Sequence, residues 1–432
     1  MTRYTMELTT KETRRAAYLF GLLVREQNFH LLHPGDDAKE KFFRWPHIMV
    51  NRQLVFINPE PFFQLRDSIY NVQSVKGILK KSSIYKSIIK SILLYTRHSD
   101  KSKIKNTAYY IKFIMRTAKS FVKFYIHIFP LTGIKFPHEF CVTVREIVKL
   151  CVFDDDIFNC ISQFKGKSDY KKLHAELIGK PVVIIRSLGD QDTAFEIAKY
   201  HSKLVIYCLL IYFFGGTYVS EQDYAIRIES EDFSDGASIH YFDESSGEKG
   251  TMFWRTLQSS HDINISIDDI PSIENDITIN TILNICFSNT ISKCHAKTIR
   301  AIRWFGEAYL DTDIDSKFIK YMIAMESIGD NHDNDIGRHL ANEIGAIITY
   351  GDLSPTSIDF DIFNAIKQLY RLRGRIVHGG HHGEITTETI RRAAILTAMA
   401  VLNFALISTR YQDPSQIYQR INQLLAREGE PA

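Results

Sequence analysis

The chain has few cysteines, and their spacing matches no common metal site. Six cysteines are spread over 432 residues without a Cys-x-x-Cys pair, which argues against a zinc site. This usage fits a reduced, cytosolic compartment best. The N-terminal stretch also lacks the apolar segment that a secretory signal needs, so we expect a cytoplasmic protein.

Long hydrophobic runs and nucleotide-binding glycine loops are missing as well. The longest apolar run, from Leu204 to Phe214, is too short to cross a bilayer, which takes roughly 20 residues. We therefore expect a buried core segment there and no membrane partner. The sequence contains no Walker lysine loop, no G-x-G-x-x-G and no G-x-S-x-G, which argues against nucleotide hydrolases, dinucleotide enzymes and serine hydrolases.

Length and texture predict more than one domain and an α+β fold. A chain of 432 residues exceeds the usual size of a single domain, and its 45% apolar content is enough to build real cores. Residues 1–75 mix short β-branched runs such as IMV and QLVFINP with breaks, which suggests strands and loops. We place the main boundary near residue 290, between a mixed α/β region over 1–285 that senses or regulates and an all-α bundle over 290–432.

Charge is distributed unevenly although the formal net charge is only +3. Residues 76–123 carry thirteen Lys/Arg and one acid, whereas 221–276 carry fourteen Asp/Glu and three basic residues in a strand-like pattern. We expect the acidic part to pack near the basic one. The basic tract fits RNA phosphates, with its aromatics stacking on bases, or else a helical pair whose lysines only solvate its outer face. The candidate RNA-binding residues are Lys80, Lys81, Lys86, Lys90, Lys112, Arg116 and Lys119.

Helical periodicity dominates the C-terminal third. The predicted helices cover residues 293–310, 313–328, 335–349, 360–377, 387–409 and 413–427. Their short connections favour a compact antiparallel bundle. The helix over 387–409 is apolar nearly all round, so it should be the central helix or bury one face in a partner subunit.

An arginine stands inside the apolar stripe of the helix predicted over 360–377. Ile362, Phe363, Ile366, Leu369, Tyr370 and Val377 form that stripe, with Lys367, Gln368, Arg371 and Arg375 pointing the other way. Arg373 falls at the stripe's centre, where an unpaired charge is costly. The candidate anion is Glu326, on the inner face of the helix over 313–328. The pair is either a structural ion pair, or an orientation device for an Arg373 that meets phosphate in a cleft.

His378 follows Arg373 by five residues in the motif RGRIVHGG. On one continuous helix the two side chains diverge by about 140°. They converge if the helix ends before His378 or if two subunits face each other. An imidazole supplies proton transfer near neutral pH and a guanidinium stabilises phosphoryl oxygens, so the pair suits RNA cleavage without a metal or cofactor.

The residues around this pair resemble a known family. SKFIKYMIAMESIG, RHLANEIGAIIT and AIKQLYRLRGRIVHGG look like the ApeA-like branch of HEPN domains, over roughly a third of the chain. The positions that match its helices and its final motif are Glu326, Tyr370, Arg373, Ile376, Val377, His378 and Gly379. Two positions depart from the pattern: Gly374 stands where a small polar residue is usual, and the Ala-Leu-Glu signature reads Ala324-Met325-Glu326.

The resemblance implies an all-α HEPN bundle, usually a homodimer, with metal-independent endoribonuclease activity. It implies Arg373 and His378 as the catalytic residues, often in abortive, anti-phage defence that degrades RNA after a phage-derived trigger. We add Glu326, Tyr370, His381 and His382 as supporting candidates, although the last two can equally be exposed loop histidines. The polar segment Asp330–Asp335 lacks the pattern of a calcium loop, so we expect a connector and helix cap. The competing hypothesis is a non-catalytic HEPN module in which Arg373 is a buried structural charge.

Overall fold

A computed structural model gives the fold for most of the chain. It describes residues 6–25, 28–31, 45–50, 53–97, 106–136, 140–162, 169–215, 227–228, 237–243, 249–254, 265–266, 276–330, 336–351, 360–379 and 385–428. Every structural statement below refers to these residues.

The described residues form an α+β protein with a helical C-terminal part, which confirms the predicted fold class. The helices are α1 (Thr10–Leu23), α2 (Pro59–Tyr70), α3 (Lys81–Arg97), α4 (Thr107–Lys119), α5 (Asp155–Ser162), α6 (Asp169–Leu177), α7 (Gln191–Gly215), α8 (Ile277–Cys286), α9 (Lys293–Tyr309), α10 (Ile314–Ile328), α11 (Ile336–Tyr350), α12 (Phe360–Gly379), α13 (Thr387–Ser408) and α14 (Pro414–Glu428). The strands are β1 (Phe29–Leu31), β2 (His47–Val50), β3 (Gln53–Ile57), β4 (Lys123–Thr132), β5 (Ile134–Lys135), β6 (Cys141–Val144), β7 (Val148–Val152), β8 (Pro181–Gly189), β9 (Arg227–Ile228), β10 (Ala237–Asp243), β11 (Lys249–Trp254) and β12 (Ile265–Ser266).

The strands lie in three sheets. One has the order β1-β3-β2, with antiparallel pairing throughout. The largest has the order β11-β10-β4-β8-β7-β6, with β9 paired to β4, and a two-stranded sheet joins β12 to β5. Strands β9 to β12 agree with the strand-like pattern expected over 221–276. Most of that acidic part lies outside the described residues, and so does its expected packing against the basic tract.

The expectation of only strands and loops over residues 1–75 was wrong, because two helices lie there. Helix α1 begins with a capping box, in which Thr9 accepts a hydrogen bond from the backbone of Glu12 and the Glu12 side chain accepts one from the backbone of Thr9. Helix α2 begins with proline at its first turn after the N-cap Asn58. The capping box and the proline are both visible in the sequence. The neighbouring β-branched runs nevertheless favoured a prediction of strands. Those runs, IMV and QLVFI, do form β2 and β3.

The chain folds into two compact units. The first comprises Met1–His127, Arg186–Ala198 and Tyr241–Gly250, and the second comprises the remaining segments. In the first unit the ring of Phe20 stacks on Tyr110 at 5.2 Å and meets Tyr95 edge-on at 6.2 Å. These rings belong to one apolar core, shared by α1 to α4. The predicted division into 1–285 and 290–432 stays a prediction.

In the second unit the run from Leu204 to Phe214 packs against the C-terminal helices. All of its residues are buried, which confirms the predicted core segment. The Phe214 ring lies 5.9 Å from those of Phe305 and Tyr309 on α9. Helices α7 and α13 are long and apolar enough to cross a membrane, but both are mostly buried inside the protein, as core helices of soluble proteins are.

Helix α13 is the central helix of the bundle, as predicted. Its N-cap is Thr386, whose side chain accepts a hydrogen bond from the backbone of Thr389. Buried residues cover most of its circumference from Ala393 to Ser408, because α8, α9, α10, α11 and α12 all pack against it. One stripe, with Ile395, Met399 and Asn403, is only partly buried. A helix that is apolar on every side is stable in water only when it is surrounded in this way.

We expect Gly306→Ala to destabilise the second unit by about 3 kcal/mol, because overpacking a tight core costs this order of free energy. A β-carbon at 306 would lie 2.1 Å from two atoms of the Tyr207 ring, which is buried and has no room to shift. Urea denaturation of parent and variant measures the difference. Gly374→Ala is the matched control: open space surrounds its position, so alanine should stabilise the helix by about 0.5–1 kcal/mol. Equal effects at the two sites would contradict this packing.

Candidate functional site

Helix α12 carries the candidate residues, and it is rotated slightly from its predicted orientation. Phe363, Ile366 and Leu369 are buried as expected, and Leu372 and Ile376 are buried as well. Val377, which we placed in the apolar stripe, is 46% exposed, so that prediction was wrong. Gln368, Arg371 and Arg375 point outward as predicted. The buried face is therefore centred on Leu369, Leu372 and Ile376, and Arg373 lies at its edge.

Arg373 lies opposite Glu326, the anion that its position predicts. The Arg373 Nε and Glu326 Oε1 atoms are 3.4 Å apart, and about a quarter of each side chain is exposed. Both atoms are buried without a hydrogen bond to any described residue, so the contact is ionic. Burial raises the pKa of Glu326, and the charge of Arg373 opposes that rise. Glu326 is thus a carboxylate that depends on its guanidinium partner to stay charged.

Tyr370 completes this cluster. The Arg373 guanidinium carbon lies 5.8 Å from the centre of the Tyr370 ring, within reach of a cation–π contact. Burial raises the pKa of the Tyr370 hydroxyl, and the nearby charge of Glu326 raises it further. The tyrosine therefore stays protonated near neutral pH.

His378 lies inside the helix, because α12 continues to Gly379. The alternative in which the helix ends before His378 was therefore wrong, because the helix ends two residues later than position 377. At 100° per residue, Arg373 and His378 point about 140° apart. His378 is exposed, whereas Arg373 is half-buried. Within one chain, the described geometry does not bring the imidazole and this guanidinium into contact.

A cleft of about 1220 Å³ opens between α12 and α13, and His378 lines it. Arg373 does not line this cleft. Its polar lining consists of Gln368, Arg371, Arg375, His378, Glu388, Thr389 and Arg392, and the rest of its lining consists of Ala365, Leu369, Leu372, Gly374, Ile395 and Leu396. Three guanidiniums and one carboxylate make it cationic. Such a cleft binds phosphate groups by bidentate hydrogen bonds and accommodates the apolar faces of bases.

The contribution of Arg371, Arg375 and Arg392 to this cleft was missed from the sequence. We took Arg371 and Arg375 for solvent-facing charges and did not consider Arg392. The spacing of Arg371, Arg375 and His378 at i, i+4 and i+7 places all three on one helix face, which was a usable signal. Arg392 offered no signal, because its position depends on how α13 lies beside α12.

Gly374 lies on the surface of α12 between the directions of Arg373 and His378. Gly374 itself lines the cleft, and Tyr370 and Val377 fall in the same arc of the helix, closer to the direction of Arg373. No atom lies within 4 Å of the place where a Gly374 side chain would begin. The space over Gly374 is therefore open and lies between the directions of Arg373 and His378.

The remaining loop candidates fall mostly outside the described residues. These are His381, His382 and the part of the polar connector from 331 to 335. The backbone of Asp330 is described and donates a hydrogen bond to Glu343 Oε2 at 2.8 Å. No group of three or more metal-ligating side chains occurs in the described part of the chain.

The candidate RNA-binding lysines and arginine lie at the surface, but most aromatics of the tract do not. Lys80, Lys81, Lys86, Lys90, Lys112, Arg116 and Lys119 are all exposed. Tyr110 is fully buried, so the expectation that its ring stacks on a base was wrong. Tyr95 packs against Tyr110 at 5.3 Å and is partly buried, and its stacking on a base stays a prediction. Ile84 and Ile88 are buried in the core, as the competing helical-pair interpretation expects. That interpretation explains the apolar residues, but it does not assign a function to the exposed lysines and arginine.

A buried serine–histidine pair in the first unit has no access to a substrate. Ser187 Oγ lies 3.2 Å from His127 Nδ1, which resembles the start of a nucleophilic pair. Both residues are buried, and burial lowers the pKa of His127 to about 3. We interpret the pair as core hydrogen bonding.

Comparison with known proteins adds no relative: no family model, no curated protein and no solved structure matches the chain.

Proposed function

We propose that the chain is a metal-independent endoribonuclease that cuts RNA at the cleft between α12 and α13. The observation that carries the proposal is the placement of His378 beside Arg371, Arg375 and Arg392 in that cleft. An exposed imidazole among guanidiniums combines the two things that the reaction needs, a proton carrier and cations for phosphoryl oxygens.

The proposed reaction is transesterification by the ribose. The His378 imidazole takes the proton of a 2′-hydroxyl, and the 2′-oxygen attacks the adjacent phosphorus. The bond from phosphorus to the 5′-oxygen breaks, and that oxygen takes a proton from imidazolium or water. The products are a 2′,3′-cyclic phosphate and a free 5′-hydroxyl, so no metal-bound water is consumed.

Arg373 is the proposed partner of His378 in this step. A scissile phosphate seated over Gly374 would let the guanidinium reach a phosphoryl oxygen from the edge next to Tyr370, while Glu326 orients it. A two-fold contact between α12 helices of two copies offers the other way of combining the groups. We propose a homodimer through the helical bundle, as the HEPN resemblance implies.

The second candidate function is a non-catalytic binding or dimerisation module. The half-buried ion pair between Arg373 and Glu326 favours it, because the pair accounts for both charges without any substrate. The exposed cleft around His378 favours the nuclease, since a purely structural bundle has no use for cations gathered around an imidazole.

The cellular role that we propose follows from the same resemblance. A cytosolic nuclease of this kind would act in anti-phage defence by degrading RNA, with the N-terminal region holding it inactive until a phage-derived trigger arrives. An unrestrained nuclease would harm its own cell, which is the reason to expect an inhibited resting state.

Incubation of the purified full chain with total RNA in EDTA tests the proposal. We expect cleavage to persist without divalent metal, because imidazole and guanidinium carry the chemistry, and the new ends to be 2′,3′-cyclic phosphates and 5′-hydroxyls. Analysis of the fragment ends by their reactivity toward phosphatase and kinase measures this. Cleavage that requires Mg²⁺, or ends that carry 3′-hydroxyls, would contradict it.

A further inference from the structure

The helix pair α3 and α4 in the first unit carries exposed cations that the proposed nuclease site does not use. Lys86 and Lys90 are spaced i, i+4 on α3, and Lys112, Arg116 and Lys119 are spaced i, i+4, i+7 on α4, so each helix presents one basic stripe. We call these five residues the basic face. The described residues of 76–97 and 106–123 include no acid.

The two stripes meet where the helix pair is held together. Helices α3 and α4 pack side by side, with Ser91 Oγ donating a hydrogen bond to the Tyr110 carbonyl at 3.4 Å. The Lys90 ammonium lies 5.4 Å from the centre of the Phe121 ring, two residues beyond Lys119. The chain just after the α4 stripe is thus close to Lys90 of the α3 stripe.

The cations of the basic face are not neutralised by their described neighbours. Lys81, by contrast, lies 3.1 Å from the Asp67 carboxylate and 5.4 Å from the Tyr70 ring, so its charge is already used inside the fold. Among the described residues, none of the five forms a salt bridge of that kind. Ordinary soluble surfaces intersperse the two signs, so a long one-sign stretch signals an anionic partner.

The chemistry of the surroundings favours nucleic acid over a membrane. Ile84, Ile88 and Ile92 of α3 and Ile111 and Ile114 of α4 are buried in the core. Neither helix therefore has an apolar face left to enter a lipid surface. Tyr110 is buried and Tyr95 is partly buried against it, so recognition would fall mainly on the sugar–phosphate backbone and would not depend on base sequence.

We propose that the basic face is a binding site for the phosphodiester backbone of single-stranded nucleic acid. This proposal does not depend on Arg373 or His378. It can therefore be tested independently of the ribonuclease assignment. The basic face would hold a nucleic acid chain by about five phosphate contacts, enough for salt-sensitive, sequence-independent binding.

Fluorescence anisotropy with a labelled single-stranded RNA tests the proposal, in a His378→Ala background so that the probe cannot be cut. The test variant is Lys112→Glu/Arg116→Glu/Lys119→Glu. We expect it to weaken binding by at least ~10-fold at physiological salt and to lower the slope of log K against log salt by about 2, since each lost contact on a single strand contributes about 0.7.

The matched control reverses the same number of charges on α1, with Lys11→Glu/Arg14→Glu/Arg15→Glu, because these three residues are also exposed in the first unit. We expect it to leave the affinity and the slope near the parent values. If both variants bind the RNA equally weakly, the loss of affinity comes from net charge alone, and the proposed binding site is wrong. A milder Lys112→Gln/Arg116→Gln/Lys119→Gln variant, expected to show a smaller loss of the same sign, guards against misfolding of the reversed chain.

Two further probes decide between partners. A DNA of the same sequence should bind with comparable affinity if the backbone alone is recognised, whereas a strict RNA preference would mean that the 2′-hydroxyl is read and would overturn backbone-only binding. Binding to vesicles of anionic lipid, with no binding of either nucleic acid, would overturn the proposal in favour of a membrane.

Discussion

Replacing His378 with alanine is expected to lower the rate of RNA cleavage by about 10²–10⁴-fold, the contribution of a positioned general acid or base. The side chain is exposed at the wall of the cleft. Its removal should therefore change the free energy of unfolding by no more than about 0.5 kcal/mol. Single-turnover cleavage of a defined RNA and urea denaturation measure the two quantities.

His339→Ala is the matched control for this experiment. His339 is likewise exposed on a helix of the bundle, but it does not line the cleft. Its replacement should leave cleavage unchanged if the effect at 378 comes from position and not from the loss of any surface imidazole. A His378→Ala chain that cleaves at the parent's rate would remove His378 from the reaction.

The C-terminal helices could be predicted from the sequence because local signals and packing agree there. Asp313 caps α10 and Thr386 caps α13, each by accepting a hydrogen bond from a backbone N–H three residues on. The predicted ends lie within one or two residues of the structure for every helix of this part. Arg373 and Glu326 could be paired because each interrupts an apolar stripe, and a charge in that position needs a partner.

The cleft could not be predicted, because it depends on the placement of two helices. Arg392 is one charged residue among many until α13 lies beside α12 and turns it toward His378. The exposure of Val377 has the same origin, since the packing of α12 on its neighbours fixes the rotation that periodicity leaves free.

Replacing Arg373 with alanine is expected to lower cleavage by about 10²–10³-fold, the usual cost of removing a group that stabilises developing negative charge. It should also destabilise the fold by about 1–3 kcal/mol, because Glu326 is left half-buried without its countercharge. Loss of activity in this variant alone therefore does not separate catalysis from folding.

The pH dependence of the free energy of unfolding of the Arg373→Ala variant tests whether Glu326 is left as an unpaired carboxylate. Burial already raises the pKa of Glu326, and removal of the opposing guanidinium should raise it further. The folded state then holds a proton that the unfolded state has released, so stability falls as pH rises from the ordinary carboxyl range through the raised pKa. Relative to the parent, the variant should be less destabilised at pH 5 than at pH 7 in urea denaturation.

The double variant Glu326→Gln/Arg373→Ala separates the two functions of the arginine. Removing the stranded charge should recover most of the lost stability and abolish the difference between pH 5 and pH 7. The single variant Glu326→Gln completes the double-mutant cycle. Its cleavage rate shows how much the orientation of Arg373 by the Glu326 carboxylate contributes. If Arg373 contacts the phosphate, the refolded double variant stays about 10²–10³-fold impaired. If it regains the cleavage rate of Glu326→Gln, then the guanidinium is only the partner of a half-buried carboxylate, and the cations that serve the reaction are those of the cleft around His378.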